Sequence, residues 1–137
     1  MFLGDRTGSI NLYDKRNEPQ CSKLGISGQK KSLSKKHSSL MPIAHSDCVT
    51  VLLPINKLQF LASASMDKKI ILWDIIKNKK RREYKNYHKK AIVTLDYNED
   101  LIILISGGID HVIFVWNPYI DTPVYKITDH NTPILKC

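Results

Sequence analysis

Leu61-Ala62-Ser63-Ala64-Ser65-Met66-Asp67-Lys68-Lys69-Ile70-Ile71-Leu72-Trp73-Asp74 joins two short β-rich runs, Phe60 to Ser65 and Ile70 to Trp73, through a polar turn at Asp67. The same order returns 43 residues later: Asp67 is matched by Asp110, Trp73-Asp74 by Trp116-Asn117 and, upstream, Ala44-His45 by Tyr87-His88. Spacing within the copies is identical. His45, Ser63, Asp67 and Trp73 are separated by 18, 4 and 6 residues, and so are His88, Ser106, Asp110 and Trp116. Four residue types recurring at three equal intervals mark an internal repeat.

Each copy begins with a further apolar run, Cys48 to Leu53 before Pro54 and Ile92 to Tyr97. In the second copy the runs matching the quoted pair are Leu101 to Ser106 and Val112 to Trp116, and a weaker fourth strand follows each Trp, roughly Glu83 to Tyr87 and Val124 to Thr128. No stretch holds a helical period over a useful length. Four short strands per repeat describe one antiparallel blade of a β-propeller, so the expected fold is all-β.

The quoted segment resembles the most typical stretch of the WD-repeat family, and Ser106-Gly107-Gly108-Ile109-Asp110-His111-Val112-Ile113-Phe114-Val115-Trp116-Asn117 is similar, with Asn in the last place. The family's Gly-His pair reads Ala44-His45, Tyr87-His88 and Asp129-His130 here, so the His is kept and the Gly is not. Thr7-Gly8-Ser9-Ile10-Asn11-Leu12-Tyr13-Asp14 resembles Asp67 to Asp74 with Tyr for Trp. The expected organisation is the tail of a repeat over 1–14, an insertion over 15–39, blades over 40–87 and 88–128, and the start of a further repeat over 129–137. About three repeats fall short of the roughly 4–8 blades that close a propeller. An incomplete propeller, a fragment entered near a third strand, is therefore expected. The insertion holds six Ser and little apolar content, which predicts a disordered loop, with a strand at Leu40 to Ile43 on its exit.

The chain has 137 residues with 21 Lys and Arg against 13 Asp and Glu, for a net charge of +8. Seven basic residues lie between Lys15 and Lys36 and eight between Lys77 and Lys90, so the basicity belongs to connecting segments. No apolar run approaches the roughly 18 residues of a spanning helix, and no basic-then-apolar leader opens the chain, so no membrane partner is expected. Leu101 to Ile105, an apolar run of five residues, reads as a buried strand. Three cysteines are an odd, sparse set that fits a reducing compartment.

Ser, His and Asp together invite a hydrolase reading, but the set occurs twice, as an architectural role requires. The resemblance implies that His45, Ser63, Asp67 and Trp73, with His88, Ser106, Asp110 and Trp116, form buried hydrogen-bonded networks. Ser63 is favoured over Ser65 because Ser106 matches the former and Gly108 the latter. No cofactor is expected. Cys21, His37, His45 and Cys48 match no zinc spacing, and Gly107-Gly108 leads into a turn and a strand, where it relieves crowding, and not into the helix of a phosphate loop.

The resemblance implies a non-catalytic scaffold that binds protein partners within a larger chain or complex. Contacts in the family come mostly from the rim of the network His and turn Asp, which here places Asp47, Met66, Lys89, Lys90 and Ile109 on the partner surface. Met66 and Ile109 each precede a turn Asp and either pack on neighbouring blades or form an apolar patch. Ile105 to Asp110, Val115 to Ile120, Pro123 and Asp129-His130 also resemble cilia-linked WD-repeat proteins, which implies a cytoplasmic location in a cytoskeletal or ciliary assembly. The alternative is a nucleic-acid-associated WD-repeat protein in RNA processing, binding through its basic segments. The stretch Lys77 to Tyr87 interleaves charge with aromatics as such a site would, although Lys also guards exposed sheet edges.

Overall fold

The computed structural model describes residues 2–4, 6–12 and 44–135. Tyr13, Asp14, the expected insertion, the strand expected at Leu40 to Ile43, Cys21, His37 and Cys137 lie outside the described residues. Every regular element among the described residues is a strand: β1 (Phe2–Gly4), β2 (Ile10–Leu12), β3 (Val49–Ile55), β4 (Phe60–Ser65), β5 (Ile70–Asp74), β6 (Lys79–Tyr84), β7 (Ile92–Asn98), β8 (Ile103–Gly108), β9 (Ile113–Trp116) and β10 (Pro123–Ile127). They form a two-stranded sheet, β1-β2, and two four-stranded antiparallel sheets, β3-β4-β5-β6 and β7-β8-β9-β10, in sequence order. These are two propeller blades with two strands of another beside the first, so the chain enters that N-terminal unit one strand earlier than its sequence suggests.

The sequence explains the layering. β4 and the first four residues of β5 are buried throughout, because each lies between two strands and under apolar neighbours on both faces. β3 and β6 are edges. Pro54 is exposed within β3, opposite Leu61, and the strand runs on to Ile55 instead of ending before the proline. A residue without an N–H costs no ladder bond on a free edge. β6 also departs from expectation, beginning at Lys79 inside the basic run.

The 43-residue offset extends to the irregularities. The register breaks between Val49 and Val51 and again between Ile92 and Thr94. The outer strands bulge where Leu72 pairs with Arg82 but Trp73 with Lys80, and where Trp116 pairs with Pro123 but Val115 with Tyr125. Positive φ values recur at Gln59 (52°) and Ile102 (55°), and at Lys68 (69°) and His111 (65°).

The main core lies between the two blades. Phe60, Ala62, Ile70 and Leu72 of the first meet Leu104, Phe114 and Trp116 of the second. Tyr84 and Tyr87 close its outer end, their rings 4.6 and 5.1 Å from that of Trp116. Thr50 Oγ1 donates across the blades to the Ile92 carbonyl at 2.7 Å. A second cluster, Leu61, Ile71 and Trp73, holds Ile10 of β2 on the other face of the first blade. Leu61, Ile71 and Trp73 are the counterparts of Leu104, Phe114 and Trp116, so each blade turns its Trp face to the unit before it. The opposite face of the second blade carries Ile103, Ile105, Ile113 and Val115, which are half-buried, whereas their counterparts Phe60, Ala62, Ile70 and Leu72 are buried. Ile134 covers part of this face, against Gly107, where a Cβ would stand 2.5 Å from its side chain.

Candidate functional site: the turn rim and its buried networks

Each blade carries one continuous chain of hydrogen bonds from turn to core. In the first, His45 Nδ1 lies 3.1 Å from Asp67, His45 Nε2 is 2.8 Å from Ser63 Oγ, and Trp73 Nε1 donates to Ser63 Oγ at 3.0 Å. In the second, the distances are 3.1 Å from His88 to Asp110, 2.8 Å to Ser106 and 2.9 Å from Trp116 to Ser106. Proton order follows from the donors. The carboxylate can only accept, so a neutral imidazole donates from Nδ1 and Nε2 accepts the serine hydroxyl. The serine oxygen in turn accepts the indole N–H.

Burial pushes both imidazoles below their ordinary pKa, against the pull of the facing carboxylate. Burial alone would raise Asp110, but the Lys89 amide and His88 outweigh it and hold the carboxyl low. Asp67 ties the turn together, accepting the amides of Ser46 and Lys69, each at 3.0 Å. Ser65 has a different role from Ser63: its hydroxyl accepts the Asp67 amide and donates to the Asp47 carbonyl. Gly108 replaces it in the second blade, where a Cβ would stand 2.6 Å from Asp110 Oδ1 and 2.9 Å from His88 Nδ1. Ser63 and Ser106 are 0% exposed. Neither hydroxyl can reach a substrate, so the paired Ser-His-Asp sets present no accessible nucleophile.

Above each network sits a solvent-facing turn. Met66 and Ile109, 46% and 36% exposed, are held by equivalent backbone bonds to the Cys48 and Ala91 carbonyls. Asp47, Lys89 and Lys90 are exposed at the same end of the sheets.

The basic run is partly engaged. Arg82 pairs with Asp121 and donates to the Tyr119 carbonyl at 3.2 Å. Arg81 lies 4.7 Å over the Phe60 ring, and Lys80 donates to Glu83 at 2.6 Å. Leu101 and Ile102, read as the start of a buried strand, occupy the exposed β7–β8 turn at 67% and 38% exposure. Their repeat counterparts, Leu58 and Gln59, lie in the β3–β4 turn, so the offset itself held the signal that hydropathy concealed. No helix among the described residues is long and apolar enough to cross a membrane.

The family model for the WD domain, G-beta repeat, matches residues 37–74 and 79–117. The chain is 50% identical over 92 residues to cilia- and flagella-associated protein 337 B of Tetrahymena thermophila, covering 67% of this chain and 7% of that protein. It is 36% identical over 70 residues to protein FIZZY-RELATED 1 of Arabidopsis thaliana, covering 51% of this chain and 15% of that protein. Among solved structures, a chain of the mitotic checkpoint complex matches 98% of this chain and 35% of its own length at a TM-score of 0.72 and 21% identity.

Proposed function

We propose, from the premise that the chain belongs to the WD40 family of G-beta repeats, that it is a non-catalytic protein-binding scaffold in a ciliary or cytoskeletal assembly of the cytoplasm. Met66 and Ile109 carry this reading. They are exposed apolar residues at equivalent places on two turns, each anchored from beneath by a buried His–Asp pair. Bordered by Asp47, Lys89 and Lys90, they offer the apolar centre and polar rim of a protein contact on a base that need not reorganise to bind. The ciliary part rests on the 50% identity to the Tetrahymena protein.

The test is expression of the tagged chain in a ciliated cell, with Met66→Asp and Ile109→Asp variants beside it. Retention in the detergent-insoluble ciliary fraction is expected for the parent and its loss for the variants, with melting temperatures nearly unchanged. Retention that survives both variants and is lost on nuclease treatment or on neutralising Lys79, Lys80, Arg81 and Arg82 would reject the reading in favour of a nucleic-acid partner.

A further inference from the structure

The end of the blades opposite the His–Asp turns carries more exposed apolar surface than the turn rim. Leu101 and Ile102 project from the β7–β8 turn, and Tyr119 and Ile120, 51% and 46% exposed, from the β9–β10 connection at the same end of that sheet. The two segments leave the same end of the β8–β9 ladder, where Leu104 pairs with Trp116. Burial raises the Tyr97 phenol, and Tyr119 and Glu99 add to the effect. The turn meets two separate costs that nothing within the described chain offsets. Leu101 is open to water where its counterpart Leu58 packs on the core. Ile102 sits at φ 55°, a left-handed conformation that β-branched side chains resist and that Gln59 occupies in the first blade. A polar residue at either place would serve the fold better.

The surface is also held in shape. Arg82 of the first blade bonds the Tyr119 carbonyl and pairs with Asp121, and Tyr87 donates to the Asp121 carbonyl at 3.3 Å. Its charge runs against that of the chain. Glu99 pairs with Lys57 at 3.2 Å, and Asp121 with Arg82, but among the described residues no cation pairs with Asp96 or Asp100. Asp100 adjoins Leu101 in the turn, so an unpaired carboxylate borders an apolar patch on a chain of net charge +8.

We propose that Leu101, Ile102, Tyr119 and Ile120, bordered by Asp100, form a second docking surface, for a protein segment whose apolar side chains are flanked by lysine or arginine. It is separate from the turn rim, so one blade would hold two partners at opposite ends. The test uses the full chain and two fluorescent synthetic peptides with the same leucine-rich centre, one with lysine flanks and one with glutamate flanks, read by anisotropy. The lysine-flanked peptide should bind about tenfold tighter, a preference that added salt reduces. Leu101→Asn should weaken it about tenfold, Asp100→Lys should abolish the preference between peptides, and Thr128→Ala, just past the far end of β10, should change neither. All three substituted positions are exposed, and the melting curve of each variant confirms that it folds. Equal binding of the two peptides, binding of neither, or parent-like binding by both Leu101→Asn and Asp100→Lys overturns the proposal.

Discussion

A neutral imidazole donates at one nitrogen and accepts at the other, and His45 and His88 use both, which ties the stability of the blades to pH. Their pKa values lie below the ordinary 6.5 in the folded chain. Above about pH 6.5 the rings are neutral folded or unfolded, and the full stability is present. As pH falls below that value the unfolded chain takes up protons that the folded chain refuses, so stability declines until the folded rings themselves protonate. A melting temperature flat near pH 7 and falling below about 6.5 is the expected outcome, and a rise on acidification would contradict it. Asp67→Ala or His45→Ala should cost about 1–3 kcal/mol by leaving buried partners unmet. The double variant should cost less than the sum, because both act on one network; additive losses in denaturant melts would refute the shared network. These residues were legible because a fixed chain of donors and acceptors demands fixed spacing. The separate role of Ser65 was not, since two serines two places apart on one strand look alike until the bonds are seen.

At the scale of the element, turns decide more than strands. Ile102→Asn should raise stability by about 1 kcal/mol, since asparagine tolerates the left-handed turn that isoleucine resists; an unchanged or lower melting temperature would show that the turn is unstrained. Gly108→Ala should destabilise by about 1–3 kcal/mol, because its Cβ would press on Asp110 and His88, 2.6 and 2.9 Å away. The inner and middle strands could be read from sequence to within a residue or two: two-sided burial writes a continuous apolar run in β4 and β5, and the partly buried inner strands keep short β-rich ones. β6 could not. An outer edge strand needs few apolar residues, and Lys79-Lys80-Arg81 face solvent, so charge hid the ladder. Leu101 to Ile105 misled in the opposite sense: hydropathy cannot tell a buried residue from one left exposed, and only the repeat register separates Leu101 and Ile102 from β8.

For the whole molecule, Ile103, Ile105, Ile113 and Val115 leave an apolar sheet face partly open. The purified chain should therefore associate as its concentration rises, seen as a growing mass in sedimentation, and Ile113→Lys should reverse this; a monodisperse 15.7 kDa species at all concentrations would count against it. That a propeller was present could be told from the repeat alone, but which faces stay open depends on neighbours in space. The repeat also gives the stack a direction. Each blade has a Trp side and a back, and the contact between blades always joins one to the other. Reused between molecules, that contact would be heterologous, the open back of one copy meeting a different surface of the next. Association through this face should therefore run head to tail, closing into a ring when the rotation per blade allows and otherwise growing as a filament.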